Sequence, residues 1–158
     1  MTALELRSYP DPLLRRAVDA VDCFDDELGE LAEAMFDLLY RCGAVGLSAP
    51  QVGVGRRLFV FDVGAGPQAV VNPVVNPVVD TTASCNVALE ACLSVPGLRL
   101  LVPRASQLTL RGCDLRGRPV VLSVDGLAAR VCQHEIDHLD GRLLLDRLDT
   151  ETLLAGES

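Results

Sequence analysis

The sequence predicts a single α+β domain over residues 1–158, with mixed or antiparallel strands packed around a central helix late in the chain. Three observations carry that expectation. Helix-period segments lie towards the two ends while the middle is rich in strand formers and turn signals, and elements segregated in this way layer as α+β. A chain of 158 residues suffices for one ordinary hydrophobic core. No linker or low-complexity run divides it. With 49% hydrophobic residues but 4% aromatic and no Trp, that core has to be aliphatic.

In chain order, residues 9–21 (YPDPLLRRAVDAV) offer two prolines and then a short helical stretch. Residues 24–43 read as an amphipathic helix. Acidic residues crowd its start, where the helix dipole favours them, Leu28, Leu31, Met35, Leu38 and Leu39 recur at helical spacing, and Gly43 ends it. Residues 44–55 (AVGLSAPQVGVG) are small and Gly-rich and read as a loop packed close to something; RRLFVFDV (56–63) reads as a strand. Residues 68–80 contain two Asn-Pro pairs and read as extended segments interrupted by turns. Residues 83–97 read as irregular. Residues 98–126 read as strands joined by turns, with Gly117 at a hairpin, and 127–141 as a helix closed by Gly141.

The formal net charge of −8 argues against a broad basic face, so strong nucleic-acid binding and attachment to an anionic membrane are not expected. No apolar run approaches the ~20 residues that span a bilayer, and no secretory signal is visible. The six cysteines are scattered without paired spacing, which predicts mostly buried free thiols and a reducing, cytoplasmic setting.

Both histidines of the chain fall in QHEIDHLDG, residues 133–141. On a helix His134 and His138 share one face and can bind one metal ion, with Glu135 between them as a general base. Leu127, Val131 and Leu139 make the inner face of this helix apolar, and buried imidazoles need partners. Catalytic metal sites usually take three protein ligands. Downstream there is no His or Cys, only Asp140, Asp146, Asp149, Glu151 and Glu157, and too little chain to build a zincin-type protease. Upstream, Cys92 lies between small neighbours, Ala91 and Ser94, and is one of several candidate thiols. Cys132 points away from the His134/His138 face.

Three ordered motifs, AVGLSAPQ (44–51), EACLS (90–94) and QHEIDHLDG (133–141), framed by PDPLLR (10–15), an Asn-Pro pair and VPR (102–104), give the chain a resemblance to peptide deformylases from Tyr9 to Leu148. The resemblance implies Cys92, His134 and His138 as metal ligands and Glu135 as general base and acid. It implies that the side-chain amide of Gln51 and the backbone N–H of Leu93 steady the oxyanion, and that Gly46 lets the peptide backbone approach. The metal would be Fe2+, with Zn2+ or Ni2+ as substitutes. The reaction would release formate from the formyl-methionine of a formylated peptide N-terminus. An apolar pocket for the methionine side chain is expected beside the metal, lined by Val45, Leu127 and Val131, with the substrate backbone adding as a strand along residues 44–46. Asp137 is divided between an exposed helix face and support of an imidazole; Asp140 is expected to be exposed.

Three positions depart from the family pattern: Ala44 and Ala91 stand where it has Gly, and Ser48 where it has Ala. If residue 91 needs a positive φ, its Cβ costs ~1–2 kcal/mol; in any backbone state its methyl sits beside a metal ligand and crowds the peptide, so Ala91 is expected to lower activity or narrow the substrate range. The tail LDTETLLAGES is short and acidic, unlike the long basic helix by which some deformylases dock on the ribosome, so ribosome proximity would be transient. These departures leave room for an alternative: an amidase specialised for another acylated small molecule or peptide, or a low-activity, inhibitor-resistant paralog. A non-catalytic metal-binding relative is disfavoured because Glu135 and Gln51 are both present.

Overall fold

The computed structural model describes residues 3–75 and 85–147, and its architecture follows from how two helices use the two faces of one sheet. Helix α1 is Asp26–Arg41. The side chain of Asp25 accepts a hydrogen bond from Leu28 N at 3.1 Å, satisfying one of the free N–H groups at the helix start. Five strands form the main sheet: β1 (Gly46–Ser48), β2 (Leu58–Phe61), β3 (Gln68–Val75), β6 (Gln107–Cys113) and β7 (Pro119–Asp125), in the spatial order β1-β2-β3-β6-β7. Between β3 and β6 in the chain, β4 (Cys85–Cys92) and β5 (Val95–Ala105) pair as a separate hairpin. Every ladder between these strands is antiparallel. Helix α2, Gly126–Leu139, follows β7.

The period-2 geometry of β2 explains the layering. Leu58 and Val60 pack with Leu28, Leu31, Met35 and Leu39 of α1. Phe59 and Phe61 turn the other way, onto Ala129, Cys132 and Leu139 of α2. A strand covered on both faces reads as a continuous apolar run, which is what LFVF is. The far side of α2 meets the hairpin. The Gln133 side chain accepts from Ala105 N (3.0 Å) and donates to Ala105 O (2.9 Å), so it fastens to the backbone of β5 like a short strand pairing. Helix α2 is therefore central, between the main sheet and the hairpin.

Several expectations are corrected. Residues 44–55 are not a simple loop: β1 and a 3-10 turn (Ala49–Val52) lie within them. Residues 85–97, the described part of the segment expected to be irregular, belong to a hairpin: β4 begins at Cys85 and β5 at Val95. The hairpin was hidden by inverted polarity. Val87, Leu89 and Ala91 face outward and exposed, while the inward set ends in a carboxylate and a thiol, Glu90 and Cys92. The first Asn-Pro pair does not break its strand; β3 runs through it with a bulge between Val71 and Val74. Asn72 takes φ +52° there, and its amide grips Val21 N (2.7 Å) and Val21 O (2.9 Å). The second pair, Asn76-Pro77, lies outside the described residues. The predicted early helical stretch is one 3-10 turn, Pro12–Arg15.

All six cysteines are free, but three are exposed rather than buried: Cys23, Cys42 and Cys85. They lie at or near element boundaries; Cys42 caps the C-terminus of α1 and Cys85 opens β4. Gly117, at φ +83°, turns β6 into β7 as expected. Among the described residues no helix is long and apolar enough to cross a membrane.

Candidate metal centre and catalytic site

The i, i+4 spacing on α2 brings His134 and His138 together, and the end of β4 brings Cys92 to them. His138 Nε2 lies 3.2 Å from His134 Nε2 and 3.3 Å from Cys92 Sγ. The three ligand atoms fall within 4.8 Å of one another. Two imidazole nitrogens and a sulfur converging in a buried corner are poor partners for each other, and they suit one divalent cation. Such a donor set fits the metal that the motifs imply. The aspartates weighed as third ligands are engaged elsewhere: Asp140 pairs with Arg57 at 2.8 Å, and Asp146 with Arg15. Asp149, Glu151 and Glu157 lie outside the described residues.

A buried cluster beneath the histidines was not foreseen from the sequence. Glu90 Oε1 meets His134 Nδ1 at 2.9 Å, which turns Nε2 of that ring toward Cys92 and His138. Arg104 donates to both Glu90 oxygens, at 2.9 and 2.8 Å, and Arg130 donates to Oε2. Asp137 does not support an imidazole directly. It accepts from Arg104 and from Arg147, each at 2.7 Å, and so braces the guanidinium that braces Glu90. A signal did exist: Glu90 lies two residues before Cys92 on a strand, hence on the same face.

Electrostatics follow from this packing. Burial alone would raise the Glu90 pKa, but the Arg104 hydrogen bonds and the contact with His134 hold it well below the usual carboxylate range. Burial disfavours charge on His134, yet its hydrogen bonds to Cys92 and Glu90 and the charge of Glu135 carry it up to about 10. His138 is driven well below the ordinary histidine value by burial and by the neighbouring His134. Burial pushes Glu135 up to about 7. The Cys132 thiol is pushed up to about 12 by burial, the state of an inert core thiol. It packs among Phe59, Leu110 and Leu139, away from the histidine pair as expected.

Glu135 is 2% exposed, and its Oε1 has no hydrogen-bond partner among the described residues. Gly46 lies directly over it. A Cβ there would fall 2.6 Å from Val131 Cγ1 and 3.0 Å from Glu135 Oε2, so only glycine fits without displacement. Gln51, on the 3-10 turn after β1, directs Nε2 toward Cys92 Sγ at 3.9 Å. Leu93 sits in the two-residue turn between β4 and β5. An open cavity of about 580 Å3 adjoins these groups. Val45, Gly46, Ala91, Leu127 and Val131 all line it, as do Gln51, Cys92, Leu93, His134 and Glu135. Among the described residues, Asn72 is the only non-glycine with a positive φ. Ala91 therefore carries no left-handed strain, and that half of the expectation for it fails; it does line the cavity.

The polypeptide deformylase family profile matches residues 3–153. The chain is 41% identical over 143 residues to the peptide deformylase of Thermotoga maritima, covering 90% of this chain and 85% of that one. It is 40% identical over 153 residues to the peptide deformylase of Dictyoglomus thermophilum, covering 97% of each. The fold is similar to the crystal structure of the Thermotoga maritima peptide deformylase, with a TM-score of 0.88 at 39% identity over 94% of this chain and 99% of that one.

Proposed function

The chain belongs to the polypeptide deformylase family and is a metal-dependent hydrolase that removes the N-formyl group from nascent peptides; from that premise we propose that Cys92, His134 and His138 hold its metal ion and that Glu135, Gln51 and Leu93 carry the chemistry. The observation that supports this assignment best is the convergence of a mid-chain sulfur, Cys92 Sγ, 3.3 Å from His138 Nε2, with a second helix nitrogen, His134 Nε2, 3.2 Å from that of His138. Fe2+ is the metal proposed for the cell, with Zn2+ or Ni2+ as substitutes; a donor set of one thiolate and two imidazoles accommodates all three. A bound divalent ion supplies Lewis acidity, lowering the pKa of a water and polarising the formyl carbonyl.

The protein's own groups do the rest. The methionine side chain enters the apolar cavity between Val45, Leu127 and Val131, and Ala91 limits its width. The peptide backbone runs along β1, which among the described residues is an edge strand of the main sheet. Gly46 lets it approach, since there is no Cβ to hold it off Glu135. Glu135 accepts a proton from the attacking water. Negative charge gathers on the formyl oxygen, where the Gln51 amide and the Leu93 N–H can donate to it. One such donor is worth ~3–4 kcal/mol in other enzymes. Glu135 then returns its proton to the departing amine, and formate and a free N-terminus result.

A thiolate ligand is readily oxidised, which supports a reducing cytoplasm as the working compartment. The net charge of −8 supports only transient ribosome proximity and no strong nucleic-acid binding. The test is purification without oxygen, metal analysis, and formate release from formyl-Met-Ala-Ser against acetyl-Met-Ala-Ser. Iron content with turnover of the formyl peptide alone is expected. Bound metal with turnover of neither peptide would remove the assignment.

A further inference from the structure

The two ends of a carboxamide have nearly the same shape, so its partners decide which end of Gln51 faces the metal ligands. Oε1 accepts from the Ser48 backbone N–H at 3.0 Å and from the Ser48 hydroxyl at 3.1 Å. Nε2 donates to Ser94 Oγ at 3.2 Å and points toward Cys92 Sγ. Ser48 and Ser94 are fully buried and Gln51 nearly so, so bulk solvent does not compete for these bonds. Reversing the amide would set NH2 against the Ser48 N–H, donor to donor, and would leave its oxygen beside the Cys92 sulfur. A buried mismatch of that kind is costly.

We propose that Ser48 and Ser94 are positioning residues for deformylation, which lock the Gln51 amide with Nε2 toward the reacting carbonyl. The proposal rests on Gln51 acting as an oxyanion donor. One Nε2 hydrogen is spent on Ser94; the other, aimed toward Cys92 Sγ at a long 3.9 Å, would serve the formyl oxygen. The two hydroxyls come from different elements, the end of β1 and the turn of the β4–β5 hairpin. The amide is thus aligned only when sheet and hairpin are docked. The N-terminal segment ties the same two points together: Arg7 N donates to Gln51 O at 2.6 Å and Tyr9 N to Ser94 O at 2.8 Å. Ser48, a departure from the family pattern, acquires a role: its hydroxyl adds a second donor to the one every residue has in its backbone.

The test is a mutant cycle on the metal-loaded enzyme, with metal content and thermal midpoint measured on each variant. Ser48→Ala and Ser94→Ala are each expected to lower kcat about tenfold, with KM for a formyl-Met peptide within about twofold, a fraction of the loss from deleting a donor outright. In a Gln51→Ala background the same changes are expected to alter kcat by less than about twofold, because the group they orient is gone. Serine variants as active as the parent, or equal losses in both backgrounds, would overturn the proposal. Full sensitivity to Gln51→Ala with none to the serine changes removes this proposal alone; an undiminished kcat for Gln51→Ala removes the oxyanion reading together with it.

Discussion

Glu135 and Glu90 are two buried carboxylates on the same site, and their environments divide the work between them. Glu135, which lines the cavity, has one oxygen without a hydrogen-bond partner among the described residues, whereas both oxygens of Glu90 are engaged by Arg104, Arg130 and His134. Glu135→Gln keeps the shape and removes the proton acceptor. It should hold metal at the parent stoichiometry and lose ~10²–10⁴ in kcat, read by metal analysis beside formate release. Glu90→Gln breaks a buried charge pair and loosens the orientation of His134. Metal affinity should fall ~10–100-fold, and stability by ~3–5 kcal/mol, measured by chelator competition and urea melts. An unchanged metal affinity would mean that His134 needs no brace. At this scale the histidine pair proposed as ligands and Glu135 were legible in the sequence, since i, i+4 spacing is a property of one helix. Glu90 was visible only as a letter in a motif. Its role depends on Arg104 and Arg130, which lie 14 and 40 residues away along the chain.

Strand β1 and the β4–β5 hairpin were the elements that the sequence disguised, and both form walls of the site. In β1 the disguise is glycine, which weakens any strand signal but is demanded by the Val131 and Glu135 atoms beneath Gly46. Gly46→Ala should leave the fold intact while displacing Glu135 or Val131, with a loss of about 100-fold in kcat/KM on a formyl-Met peptide. A variant within threefold of the parent would show that the cradle is not tight. In β4 the disguise is a strand whose exposed face is apolar and whose buried face carries Glu90 and Cys92. Ala91 sits on the exposed face with ordinary strand geometry and pairs with Arg99. Ala91→Gly should therefore destabilise by ~0.5–1 kcal/mol, the usual effect of glycine in a strand, instead of relieving strain. A more stable glycine variant in urea melts would revive the strain account.

Taken whole, the molecule is a main sheet with α1 on one face and α2 on the other, and a hairpin on the far side of α2. The hairpin reaches α2 through Arg130, Gln133, His134 and the proposed metal ligands, so an ion held by them would bridge two separately hydrogen-bonded sheets. Chelation should lower stability by an amount set by mass action, about 4 kcal/mol where free metal is a thousandfold above Kd, and the thermal midpoint should fall with it. An identical midpoint with and without chelator would mean that Cys92 and the histidines share no ion. The sequence by itself determined the class of the fold, the helices and their apolar faces, and the two imidazoles with a carboxylate between them. All of these rest on periodicities of one helix or strand, and local spacing suffices to state them. Only the tertiary structure decided which thiol meets the histidines by geometry, that Glu90 stands behind one of them, and which way the Gln51 amide faces. Apart from the Ser48 contacts three residues from Gln51, those are contacts between groups 40 or more residues apart in the chain, and no local pattern encodes a distance that docking of separate elements has to create.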